Sequence, residues 1–153
     1  MLFPLATENL CAGYDKHQVI HDVTFTIPAQ KTTIIVGANG CGKSTLLHTL
    51  ARLNPALSGK VLLAGEDLSQ LKRRDIAKRM SFLAQSSPIP DGIKVSTLVA
   101  RGRYPWQGLL HQWSHQDEQA VDEALQLTGL SAFKDRPVSC RASSTACSSW
   151  CDH

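Results

Sequence analysis

Apolar and polar positions along this chain fall into stretches of different period, and each period predicts a different element. Residues Thr7 to Cys11 read as a short strand, and Ala12, Gly13, Tyr14 and Asp15 as the turn that follows. Val23, Phe25 and Ile27 then alternate with Thr24 and Thr26 up to Pro28, the two-residue period of a half-buried antiparallel strand. Thr33, Ile34, Ile35 and Val36 break that alternation, since a continuous β-branched run suits a buried parallel strand. Leu46, Leu47, Leu50 and Leu53 recur at helical spacing until Asn54 and Pro55. Farther on, Phe82, Leu83 and Ala84 form a short apolar run. The stretch from Ser87 to Gly92, with two prolines and a glycine, reads as an exposed loop, and Tyr104 to Gly108 as a second. A helix is predicted from Ser114: Ser114 and Asp117 fit a capping box, Asp117 and Glu118 complement the helix dipole, and Val121, Ala124, Leu125 and Thr128 share one face before Gly129.

Between the apolar run at 33–36 and the leucine helix lies Gly37, Ala38, Asn39, Gly40, Cys41, Gly42, Lys43, Ser44 and then Thr45. The pattern is G-x-x-x-x-G-K-[ST], and strand, glycine loop and helix arrive in the order it requires. Glycines let backbone N–H groups converge on a phosphate chain, and the start of the helix adds its positive dipole end. Lys43 suits the β- and γ-phosphates as a compact cation, and the Ser44 hydroxyl suits the shell of a Mg²⁺ that keeps most of its waters. The fold class expected is therefore α/β with a nucleotide triphosphate site. Tyr14, an aromatic residue at a turn, could stack on a purine base or simply pack in the turn.

Composition refines this only slightly. The 153 residues, 42% hydrophobic and 19% charged, suffice for one domain of ordinary size. No apolar stretch approaches the roughly 20 residues that cross a bilayer, and Met1, Leu2, Phe3, Pro4 and Leu5 lack the basic start of an export signal, so a cytoplasmic location is expected. A net charge of +3 is too mild to imply a nucleic-acid partner; Lys72, Arg73, Arg74, Lys78 and Arg79 read as a solvated helix face with Leu71 and Ile76 on its narrow apolar side. An Asn-Lys-x-Asp base-reading motif, which a GTPase would show, does not occur.

Glu8-Asn9-Leu10, Gly13-Tyr14, Asp22 to Phe25, the loop at 37–45 with Leu46-Leu47, Ser58-Gly59 and Gln85 together resemble the N-terminal half of an ABC transporter ATPase subunit. Arg79 to Gln85, followed by Val95 to Pro105 with its Gly-Arg-Tyr-Pro stretch, is similar to the iron-chelate importers that take up ferric siderophores, with haem and cobalamin importers as near relatives. The resemblance covers roughly residues 5–139. It implies a P-loop ABC-type nucleotide-binding domain of which only the N-terminal half is present. Residues 1–85 would be the antiparallel β layer and phosphate-loop core, and 86–139 the glutamine loop and part of a helical subdomain. Tyr14 becomes the adenine-stacking aromatic, Gly37 to Thr45 the ATP-binding loop with Lys43 as a catalytic group, and Gln85 the residue touching Mg²⁺ and the attacking water. The implied partners are a second ATPase subunit and the permease subunits, gripped by the loop after Gln85 and the helical region. The implied location is the cytoplasmic face of the inner membrane. Trp106 and its neighbours are contact candidates, with ordinary packing as the other reading.

The chain departs from the family after Ser139. A Leu-Ser-Gly-Gly-Gln stretch and an apolar strand closing in Asp-Glu are expected there, and residues 140–153, rich in Cys, Ser and Ala, supply neither and look like out-of-frame translation. The acidic strand would carry the base for hydrolysis, so binding without turnover is expected; a non-hydrolysing nucleotide-binding module is the alternative. Zinc binding by Cys140, Cys147, Cys151 and His153 is disfavoured, because the spacing of the four does not match the common zinc fingers. Five cysteines in a cytoplasmic chain predict no disulfide framework, and Cys11 reads as a small buried hydrophobe. Cys41, beside Lys43 at a helix start, is expected to be reactive and to be protected by bound ATP. The run at Ile34-Ile35, without sheet neighbours, is expected to leave apolar surface exposed.

Overall fold

The computed structural model describes residues 4–14, 17–85, 92–107 and 113–138, which fall into two compact units divided after Phe82. The first unit is built on a four-stranded antiparallel sheet of β1 (Leu5–Tyr14), β2 (His17–Ile27), β3 (Ala56–Leu63) and β4 (Glu66–Asp67), in the order β2-β1-β3-β4. The alternation expected at Val23, Phe25 and Ile27 holds: each is half-buried, and Ile27, Phe25 and Val23 face Leu5, Thr7 and Leu10 across the β1–β2 ladder. That ladder slips between Thr7 and Leu10, where Asn9 and Asp22 both adopt left-handed backbone. The irregularity is tied by Asn9 Nδ2 donating to Asp22 Oδ1 at 2.7 Å and by Asn9 N–H donating to Thr24 Oγ1 at 2.8 Å. β1 runs through Tyr14, so the turn expected at Ala12 is not there; positions 15 and 16 lie outside the described residues.

Helix α1 (Lys43–Leu50) and helix α2 (Arg73–Arg79) close the core of this unit. Leu10, Val61 and Leu63 from the sheet meet Leu50, Leu68 and Ile76, with Phe25, Leu46, Leu71 and Met80 packed around them. Each such side chain contributes about 1.5–3 kcal/mol by leaving water. The basic residues of α2 form its exposed side, as its sequence implies. Leu53 falls outside α1 and is exposed, because Arg52 takes a left-handed conformation. The N–H groups of Leu53 and Asn54 then fold back onto the His48 carbonyl, and Arg52 bonds the carbonyls of Leu71 and Ser69. Cys11 is half-buried rather than a buried hydrophobe; a hydrogen bond with Ser58, then the Asp22 N–H, draws its thiol below the ordinary value.

The run at 33–36 does not form the expected strand. Residues 31–38 carry no regular structure, and Ile34 and Val36 are 77% and 83% exposed. A parallel strand satisfies its N–H and C=O groups only through neighbours, and no strand pairs with this segment among the described residues. The apolar surface anticipated there is therefore present.

The second unit contains α3 (Val95–Ala100), a 3-10 turn over Arg101–Trp106, α4 (His115–Leu127) and a 3-10 turn over Ser131–Phe133. The stretch expected as a loop from Tyr104 is thus partly helical, held by the Gln107 N–H on the Tyr104 carbonyl; Gly108 lies outside the described residues. The capping box of α4 is formed: the Asp117 N–H donates to Ser114 Oγ at 3.2 Å and the Ser114 N–H to Asp117 Oδ2 at 3.2 Å. Val121 and Leu125 supply its buried face. Asp117 is buried too, and the Arg103 guanidinium donates to it at 2.9 Å while lying 4.6 Å over the Trp106 ring. The Ser114 hydroxyl first, and then Arg103, holds the Asp117 carboxyl below the usual carboxylate range. The loop expected at 87–91 and the tail at 140–153, with its candidate zinc ligands, lie outside the described residues.

Candidate phosphate-binding site

The loop from 37 to 42 delivers the chain into α1 through two glycines in left-handed backbone, Gly40 at φ 80° and Gly42 at φ 96°. Gly42 caps the helix without a side chain. A Cβ there would lie 2.8 Å from Val19 Cγ1 and 2.8 Å from Ile20 Cδ1, so β2 packs directly under the start of α1; a Cβ on Gly40 would meet open space. The Cys41 N–H donates to the Ala38 carbonyl at 3.3 Å and the Leu46 N–H to that of Gly42 at 2.9 Å. The first-turn N–H groups of Lys43, Ser44 and Thr45 have no partner among the described residues, and no acidic residue sits in that turn. A helix start in this condition attracts anionic oxygen.

Lys43 lies over the same loop. Its Nζ donates to the carbonyls of Gly37 at 2.9 Å and Ala38 at 2.7 Å and stands 3.7 Å from Cys41 Sγ. The ammonium is thereby held at the mouth of the loop. Ser44 is exposed and its hydroxyl has no partner among the described residues, whereas Thr45 is buried and its carbonyl accepts from Thr49 Oγ1 at 2.9 Å. No group of three His, Cys, Asp or Glu able to hold a metal ion occurs among the described residues. A single hydroxyl fits a divalent ion that arrives with phosphate and keeps its waters.

Tyr14 stands at the end of β1, 47% exposed, with its hydroxyl 3.5 Å from Nδ1 of His48 on α1. Its neighbour Gly13 is tied to the same helix end, its carbonyl accepting from Asn54 Nδ2 at 3.0 Å. The His48 ring also meets Phe82 edge-on, centroids 5.5 Å apart. The sequence pointed to Tyr14 and residues 37–45; of these, the structure sets Tyr14 beside His48 on α1, the helix that the loop enters. It gave no sign of His48 or Phe82 beyond the four-residue interval from Ser44 to His48, which places both on one helix face. Gln85 belongs to the second unit, where it is exposed. A cavity of about 550 Å³ in the first unit, lined by Asn54, Leu57, Lys60, Asp67 and Arg73 among others, includes none of the loop residues. No helix among the described residues is long and apolar enough to cross a membrane.

The sequence pattern of the ABC transporter family matches residues 20–147. Among curated proteins, the ferric enterobactin transport ATP-binding protein of Escherichia coli is 45% identical over 134 residues, which are 88% of this chain and 49% of that protein. The achromobactin transport ATP-binding protein of Dickeya dadantii is 41% identical over 134 residues, again 88% of this chain and 50% of the relative. The chain spans about half the length of the curated relatives it matches. Of solved structures, cbiO1 from Clostridium perfringens, part of the ABC transporter complex cbiONQ, superposes with a TM-score of 0.66 at 22% identity, covering 93% of this chain and 57% of that one. That likeness carries the fold: the antiparallel layer, phosphate loop and helices form the N-terminal half of an ABC nucleotide-binding domain.

Proposed function

The chain belongs to the ABC transporter family, and on that premise we propose that its phosphate loop binds ATP as part of the energising subunit of a ferric siderophore importer. The observation that carries this reading is the helix start at Lys43, Ser44 and Thr45, whose N–H groups have no partner among the described residues, beside an ammonium held by the Gly37 and Ala38 carbonyls. Backbone N–H groups would take the phosphate oxygens, Lys43 the charge toward the γ end, and Ser44 one position on a Mg²⁺. The ion, when bound, neutralises phosphate charge. Tyr14 would stack on the base and Gln85 would orient water and metal. The siderophore assignment rests on the relatives, one named for ferric enterobactin and another for achromobactin. Permease contact through the loop after Gln85 and the turn at Arg101–Trp106, pairing with a second ATPase subunit, and a place on the cytoplasmic face of the inner membrane belong to the same proposal.

Turnover requires a base to activate water, and no acidic residue stands in the first turn of α1 beside Lys43 and Ser44. The chain is accordingly proposed to bind nucleotide with negligible hydrolysis, which keeps a non-hydrolysing binding module as the second reading. The test is calorimetric titration with Mg²⁺ and a nonhydrolysable ATP analogue, beside Lys43→Ala. Binding weakened about 10- to 150-fold by the substitution supports the cradle, the range expected for losing a charge-assisted hydrogen bond. No heat from a natively folded wild type refutes it. Hydrolysis well above the Lys43→Ala background would refute the claim of binding without turnover.

A further inference from the structure

Given a nucleotide in the phosphate loop, as proposed above, the geometry points to His48 as a positioning residue that fixes the Tyr14 ring for the base. Tyr14 and His48 are 34 positions apart in sequence, yet the hydroxyl and Nδ1 stand 3.5 Å apart, at the outer limit of a hydrogen bond. Without that contact a half-exposed ring at a strand end has free rotation about its side-chain bonds. His48 is itself braced, because Phe82 meets its ring edge-on at 64°, centroids 5.5 Å apart. The backbone beneath Tyr14 is pinned by the Asn54 bond to Gly13. What remains for His48 to set is the tilt of the ring.

Position 48 is suited to this. Five residues of helix separate it from Lys43, a rise of about 7.5 Å, and helical side chains lean back toward the N-terminus. The imidazole therefore extends along α1 toward the Ser44 face, over the interval that a ribose spans between phosphate and base. Phosphate affinity should be indifferent to His48, whereas base affinity should depend on it.

The experiment measures binding of ATP and of inorganic tripolyphosphate, each with Mg²⁺, to the full chain and to His48→Ala, His48→Asn, His48→Gln and Tyr14→Phe. Asn places a polar atom where Nδ1 stands, and Gln places one nearer Nε2. His48→Ala and Tyr14→Phe are expected to weaken ATP about three- to tenfold, the scale of one hydrogen bond, and to leave tripolyphosphate within about twofold. His48→Asn should recover most of the loss, His48→Gln little, and the His48→Ala/Tyr14→Phe double variant should be no weaker than either single. Equal weakening of both ligands, no weakening of either, or failure of Asn to rescue overturns the proposal. Should His48→Ala fail to fold, Tyr14→Phe, which loses only the hydroxyl, decides by the same two ligands. Wild type that binds neither ligand overturns the phosphate cradle itself. Wild type that binds both, with ATP affinity unchanged in Tyr14→Ala, leaves the cradle standing and overturns base stacking and the role of His48 together.

Discussion

Replacing Gly42 by alanine should destabilise the first unit far more than the same change at Gly40, although both glycines sit in left-handed backbone of one loop. At Gly40, φ is 80° and the new methyl meets nothing within 4 Å, so the cost is the backbone conformation alone, about 1–2 kcal/mol. At Gly42, φ is 96° and the methyl would lie 2.8 Å from both Val19 Cγ1 and Ile20 Cδ1. These are side-chain ends and can retreat, but Ile20 is buried in the sheet, so overpacking adds about 1–3 kcal/mol. The difference is about 1–3 kcal/mol, or a melting point lower by at least about 4 °C for a unit of this size. All three tryptophans, Trp106, Trp113 and Trp150, follow residue 82, so their emission reports the second unit and serves as an internal control. The sheet signal in circular dichroism reports the first unit. Gly42→Ala melting together with Gly40→Ala would refute the packing of β2 under the helix start.

In the second unit, the Asp117 carboxyl is held below its unfolded value, so its contribution is complete above about pH 4 and is lost as pH falls through the folded value. Acid unfolding followed by tryptophan emission should accordingly be flatter below about pH 4 in Asp117→Asn than in wild type, and an unchanged acid limb would contradict the assignment. Exposed Ile34 and Val36 should drive self-association, so the pair Ile34→Lys and Val36→Lys should lower light scattering while shifting stability by no more than about 0.5 kcal/mol. Equal scattering would place the sticky surface elsewhere. Cys41 is exposed and 3.7 Å from the Lys43 ammonium, and its alkylation, followed by peptide mass, should slow in the presence of ATP; an unaltered rate would deny that nucleotide covers the loop.

What the sequence made legible was what depends on neighbours along the chain. The capping box at Ser114 and Asp117 spans three residues, and it formed as its pattern predicts. The glycine loop leading into α1 is equally local. The alternation of Val23, Phe25 and Ile27 was legible because a two-residue period implies one wet face whatever the partner. The run at 33–36 misled for the converse reason: its period describes a strand with partners on both sides, and the partners are not a property of the run. Leu53 failed similarly, since a left-handed Arg52, fastened to carbonyls near residue 70, ended the helix before the leucine spacing did. Arg103 reaching Asp117 was not legible either; a Gly-Arg-Tyr-Pro stretch names the residues of a turn without saying which carboxylate receives the arginine.

The same division runs through the site. The part proposed to face phosphate is assembled within nine consecutive residues, 37–45, with Val19 and Ile20 beneath, so every donor it offers is set by one loop and the first turn of one helix. The part proposed to face the base is assembled from Tyr14, His48 and Phe82, contributed by a strand end, a helix and the end of the unit. Contacts between distant segments survive only while the sheet-to-helix packing does, whereas the loop depends chiefly on its own glycines and on β2. Loosening the core at Leu50 or Val61 should therefore erode discrimination between ATP and tripolyphosphate before it erodes affinity for phosphate.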